Sequence, residues 1–117
     1  PAAVRYVSVE PMLGPVDLSQ YLGGLHDHSE KGKLHLVIIG GESHQNPSEA
    51  RPMELEWARN LIRQCREAGT SVFVKQLGAR WASIQGTPVS RNDPDPGRKG
   101  QNIEAWPEDL RVREWPR

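Results

Sequence analysis

Three short apolar runs, each ended by a charged residue, constrain this chain most strongly. Tyr6-Val7-Ser8-Val9 leads into Glu10-Pro11, Leu36-Val37-Ile38-Ile39 into Gly40-Gly41-Glu42-Ser43, and Val72-Phe73-Val74 into Lys75-Gln76. Nearly continuous β-branched runs of this length read as strands of a parallel sheet, and ligands of such sheets sit beyond the carboxyl ends of the strands. Glu10, Glu42 and Lys75 are therefore expected on one rim.

The segments between the runs set the order of elements. Val4 to Val9 reads as a strand stopped by Pro11, whose ring removes a donor and restricts the residue before it. Gly14-Pro15 turns the chain, and Asp17 or Ser19 can cap a short helical turn through Tyr21-Leu22. From Gly23-Gly24 to Lys33 the chain is polar and reads as a surface loop. Leu34 to Ile39 is the clearest strand, with β-branched residues crowding toward Gly40-Gly41.

Pro52 to Ala68 reads as a helix. Glu54 and Glu56 lie at its positive end, Arg63 and Arg66 at its negative end, and Gly69 is placed to stop it. Trp57, Ala58, Leu61, Ile62, Cys65 and Ala68 form one apolar stripe that would pack on the sheet. Strand, connection, strand, helix, strand is the grammar of a parallel βαβ arrangement. The expected class is α/β, with a three-stranded parallel βαβ portion over residues 1–78 and an irregular docking tail over 79–117. That tail holds three of the four tryptophans, so Trp81, Trp106 and Trp115 are expected to dock it, each buried indole contributing roughly 2 to 3 kcal/mol. Leu110 to Glu114 alternates like a short edge strand.

Composition narrows the function classes. A chain of 117 residues with 36% hydrophobic content supports one modest core. Fifteen basic residues balance fifteen acidic ones, so no overall field draws it to nucleic acid or an anionic membrane. Cys65 is the single cysteine, which excludes an internal disulfide and cannot alone hold zinc or an iron-sulfur cluster. Its place in the helix stripe reads as a buried core thiol. A cytoplasmic setting is expected, with no membrane span or leader readable. The start at Pro1 reads as a fragment or a processed product. His26-Asp27-His28 lies in a polar loop that lacks the further fixed ligand a zinc site requires, so no metal site is expected.

Five ordered blocks support a family resemblance: Val9-Glu10-Pro11-Met12-Leu13-Gly14-Pro15-Val16-Asp17-Leu18, Val37-Ile38-Ile39-Gly40-Gly41-Glu42-Ser43, Ala50-Arg51-Pro52-Met53, Phe73-Val74-Lys75-Gln76-Leu77-Gly78, and Trp106-Pro107-Glu108-Asp109-Leu110-Arg111-Val112-Arg113-Glu114. Together they resemble the carboxy-terminal half of phage-type radical-SAM-like proteins that carry a three-cysteine motif near the amino terminus. The resemblance implies the closing part of a partial (β/α) barrel. It also implies S-adenosylmethionine and a [4Fe-4S] cluster for the intact protein, with no cluster ligand in this chain. His44 to Glu49 replaces the family's usual glycine-rich link, and Leu77 stands where an aromatic is common.

The candidate residues carry alternatives. Gly40, Gly41 and Glu42 are cofactor-binding candidates by resemblance, while Glu42 could equally cap a helix or pair with Arg51. Glu10, Lys75, Arg51 and His44 are rim or substrate candidates, with ion pairing as the plain alternative for Glu10, Lys75 and Arg51. Partners expected are a missing amino-terminal half, a second copy or another chain at the exposed edge of the first strand, since parallel sheets are normally flanked. Two further readings are a nucleic-acid or protein-binding module, using Arg80, Arg91, Arg98 and Lys99 beside the tryptophans, and a glycosidase-like carboxylate pair of Glu10 and Glu42.

Overall fold

The computed structural model describes residues 4–24, 33–85 and 94–116. His26, Asp27, His28 and Arg91 lie outside the described residues. Three strands, β1 (Tyr6–Val9), β2 (Leu36–Gly40) and β3 (Ser71–Gln76), form a sheet in the order β1-β2-β3 with both pairings parallel. Helix α1 (Leu55–Ala68) connects β2 to β3, and helix α2 (Ala79–Gln85) follows β3. The α/β class and the three parallel strands expected from the apolar runs are both present.

The register sorts the strand side chains onto two faces. Val7, Val37 and Val72 align across the sheet, as do Val9, Ile39 and Val74. These residues pack with Ala58, Leu61, Ile62 and Cys65 of α1, so the helix stripe covers this face. Each large aliphatic side chain fully buried there contributes about 1.5–3 kcal/mol. Tyr6, Leu36 and Ser71, then Ser8, Ile38 and Phe73, align on the opposite face. Leu36 is buried there, but Tyr6 is 63% exposed and Ser8 is exposed.

Helix α1 begins later than its sequence suggests. Pro52 and Met53 precede it in extended chain, because the Arg51 amide is bonded to the Glu42 carboxylate and Met53 is buried in the core. At its other end Gly69 takes φ 76°, the left-handed conformation glycine adopts without a Cβ clash, and Thr70 N–H returns to Cys65 O at 2.9 Å. Gln64 ties the preceding loop to the helix. Its Oε1 accepts from Leu18 N–H at 2.8 Å and its Nε2 donates to Val16 O at 2.9 Å.

The tail is more regular than expected. Ala79 to Gln85 is helical, with Ala79, Trp81 and Ala82 buried, although seven residues are too short to display a helical period in sequence. Trp106 is 2% exposed and its indole N–H donates to Gly100 O at 2.7 Å. Arg59 of α1 donates to Asp109 at 2.7 Å and holds the turn at Glu108–Leu110 against the helix. Trp115 meets the body through the Phe73 ring, 5.2 Å away, but stays 62% exposed instead of buried.

The end of the chain adds to the outer edge of β3. Val74 N–H donates to Val112 O at 2.8 Å and Glu114 N–H to Val72 O at 2.9 Å, so Phe73 and Arg113 face each other in an antiparallel bridge. The expected edge strand is thus reduced to one bridge. Among the described residues nothing pairs with the outer edge of β1.

Candidate functional site: the carboxyl ends of the strands

Glu10 leaves β1 through a cis Glu10–Pro11 peptide, after which Met12 N–H donates to Gly40 O at 2.9 Å. This bond ties the chain beyond β1 to the end of β2. The Glu10 side chain then lies across Gly40: a Cβ on that glycine would fall 3.1 Å from Glu10 Cδ. On the far side of β2, Lys75 Nζ donates to Glu10 Oε1 at 3.3 Å. The pair is half open to water, with the Glu10 side chain 25% and the Lys75 side chain 55% exposed.

Gly41 does different work. A Cβ there would meet the backbone of the β3–α2 turn, 2.7 Å from Gly78 Cα. Its N–H donates to Gln76 O at 3.2 Å, and its carbonyl accepts from Gln76 Nε2 at 3.0 Å. The glycine lets two chain segments touch. Glu42 O then accepts from Ala79 N–H at 2.8 Å, which starts α2.

The Glu42 carboxylate turns to Arg51. It accepts from Arg51 N–H at 2.7 Å, from Nε at 2.9 Å and from Nη2 as well. These hydrogen bonds to a guanidinium and an amide hold the Glu42 carboxyl at about 2. His44 closes a local turn, with Nδ1 accepting from Asn46 N–H at 2.9 Å and Nε2 3.9 Å from the Glu49 carboxylate.

The expected rim therefore divides. Glu10 and Lys75 meet over Gly40, whereas Glu42, Arg51 and His44 are engaged in the connection from β2 to α1. Ion pairing is the state of Glu10, Glu42, Lys75 and Arg51 alike. Gly40 is roofed by Glu10, Gly41 is packed on the next turn, and Glu42 is held by Arg51. In this segment Gly41 packs against the next turn, and the Glu10 and Glu42 carboxylates are paired within the chain. A glycosidase acid needs a raised pKa, and Glu42 has the opposite.

Cys65 is the single thiol in the chain. Cys65 is fully buried, and desolvation, reinforced by the Glu114 charge, pushes its thiol up to about 12. Among the described residues no group of histidine, cysteine and acidic side chains could hold a metal ion.

Sequence reading passed over Arg113 and the aromatic pair beside it. Arg113 donates to Val74 O at 3.2 Å and to Lys75 O at 3.1 Å, and its guanidinium lies 5.1 Å from the Phe73 ring centre and 5.4 Å from that of Trp106. The Phe73 and Trp115 rings are 5.2 Å apart. The alternation from Leu110 to Glu114 was the available signal, because period-two spacing sets Arg113 opposite Val112 and Glu114.

A family model described as "Protein of unknown function (DUF5131)" matches residues 1–107. The chain belongs to that family. No curated protein and no solved structure matches it. The match in this DUF5131 chain ends before the segment that bridges to β3, so Arg113 and Trp115 lie beyond the matched residues. Among the described residues no helix is long and apolar enough to cross a membrane.

Proposed function

We propose that the chain supplies the closing wall of a radical-SAM-like (β/α) barrel, inactive alone, with the sheet face away from α1 turned to the cavity and the β1 edge paired with a preceding segment of the same protein. One observation carries this reading: a parallel sheet with helix α1 on one face, an opposite face that leaves Tyr6 and Ser8 exposed and Ile38, Ser71 and Phe73 half-buried, and an outer β1 edge with which no described segment pairs. Parallel sheets are ordinarily buried on both sides, and a barrel wall meets that requirement with helices outside and layered side chains within. In this arrangement Tyr6, Leu36 and Ser71, and beyond them Ser8, Ile38 and Phe73, would face the cavity. Glu10, Gly40 and Lys75 stand at the carboxyl end, where barrel enzymes place their ligands.

The role left to this chain is positioning. The Glu10–Lys75 pair presents a carboxylate and an ammonium to the cavity mouth, suited to orienting a polar ligand. Any cluster and its cofactor would be held by the preceding segment.

The test is anaerobic reconstitution, with iron, sulfide and S-adenosylmethionine, of this chain alone and of the chain extended upstream. The extended protein is expected to form a cluster and cleave the cofactor, and the isolated chain to do neither. An upstream reading frame without a three-cysteine segment, or an extended protein that takes up no cluster, overturns the proposal.

A further inference from the structure

The sheet face away from α1 is not uniformly apolar. Toward the β3 side it carries a compact group of three side chains: Phe73, Arg113 directly opposite it, and Trp115 with its ring 5.2 Å from that of Phe73. Trp115 is 62% exposed, so most of the indole is open to a ligand. Arg113 is fixed by two β3 carbonyls and by the Phe73 ring, leaving Nη1 free of the hydrogen bonds that hold Nε and Nη2.

Charge decides what such a surface accepts. Lys75 is offset by Glu10, and Arg63 and Arg66 belong to α1 on the other side of the sheet. Arg113 has no carboxylate within ion-pair distance among the described residues. A wholly apolar partner laid on this face would strip water from that guanidinium without supplying a counter-charge, which is costly. A carboxylate alone would answer the charge but leave the indole unused. A flat aromatic ring joined to an anionic group answers both.

We infer that this face binds single-stranded nucleic acid, with a base stacked on Trp115 and a backbone phosphate held by Arg113. The inference builds on the barrel-wall reading, whose cavity it furnishes with a substrate class. Every base offers a π-face to an aromatic side chain, and arginine beside an aromatic adds a charge-assisted contact to phosphate. Residues on a sheet face are well suited to this because strand geometry spaces them regularly and holds them rigidly.

The experiment is titration of this chain with a fluorescently labelled short oligothymidylate, followed by anisotropy, alongside an abasic oligomer of equal length. Binding is expected, weakened about tenfold or more by Trp115→Ala and to a similar degree by removal of the bases. Arg113→Gln is expected to lower the slope of log affinity against log salt by about one. Trp115→Ala removes an exposed ring, and an unchanged circular dichroism spectrum verifies that the fold is intact.

Absence of binding, or equal binding of abasic and base-bearing oligomers, or an undiminished Trp115→Ala variant, overturns the inference. If the oligomer is not bound but Trp115→Ala blocks association with the upstream segment, the face is a protein interface and the barrel-wall reading stands without the nucleic acid. Oligomer binding by a protein whose extended form takes up no cluster has the reverse meaning.

Discussion

Lys75 reaches Glu10 at 3.3 Å although their strands are not neighbours, because β2 passes between them and presents only Gly40 at the crossing point. Two side chains on the outer strands of a three-stranded sheet ordinarily face a third side chain between them. Here the missing Cβ gives the Glu10 carboxylate its path, and the Met12 to Gly40 bond ties the chain beyond Glu10 to β2.

Alanine at Gly40 and at Gly41 should therefore behave differently. The obstacle at Gly40 is the Glu10 side chain, which can swing aside, so Gly40→Ala is expected to cost less than about 1 kcal/mol while breaking a half-exposed ion pair. The obstacle at Gly41 is backbone, with Gly78 Cα 2.7 Å from the added carbon, and Gly41→Ala is expected to cost about 1–3 kcal/mol. Urea midpoints of the two variants decide this, and equal losses would contradict it.

Acid stability should carry the signature of Glu42. Its carboxyl lies at about 2 when folded against an ordinary 4.5, so the unfolded chain binds more protons between those values. The stabilisation is present above about pH 4.5 and is lost as the pH falls toward 2. Glu42→Gln should make the acid limb of a stability-against-pH curve shallower. Asp17, bonded to Ser19, and Asp109, bonded to Arg59, are also lowered and should leave part of the slope in place. An unchanged slope in Glu42→Gln would argue that Arg51 does not hold the carboxylate in solution.

The thiol of Cys65 is expected to be inert in the native protein. Burial raises it to about 12, and none of its surface is open to reagent. An aromatic disulfide reagent at neutral pH should label it only as fast as the chain opens, and fully in urea. Rapid labelling without denaturant would mean that α1 does not stay on the sheet.

Trp106 should hold the tail to the body. Trp106→Ala removes a 2% exposed indole and is expected to cost about 3–5 kcal/mol. Trp106→Phe keeps most of the ring but loses the 2.7 Å bond to Gly100 O, and should cost nearer 1 kcal/mol from that bond alone. Limited proteolysis is the second readout, with cleavage in the tail expected to rise in the alanine variant. Tail protection equal to that of the parent would remove the anchoring role.

Local signals were sufficient wherever one segment carried its own pattern. The β-branched runs marked all three strands, the apolar stripe marked the buried face of α1, and Gly69 marked its end. The helix start was misplaced because Glu42, distant in sequence from the first turn, holds the Arg51 amide in extended chain. Helix α2 was missed because seven residues give its burial no visible period. Trp115 was expected to be a buried anchor by residue type, although period-two spacing carries it to the face away from α1, where it is 62% exposed beside Phe73.

By itself the sequence determined the class, the three strands in chain order and the presence of charged residues at the strand ends, since hydrophobic periodicity is a property of neighbouring residues. It could not determine which of those charges would meet. Tertiary structure alone decided that Glu10 joins Lys75 over Gly40, that Glu42 is taken by Arg51, and that Arg113 stands opposite Phe73. The physical reason is that side-chain pairing depends on register and on the space between strands, and both are set when distant segments pack together.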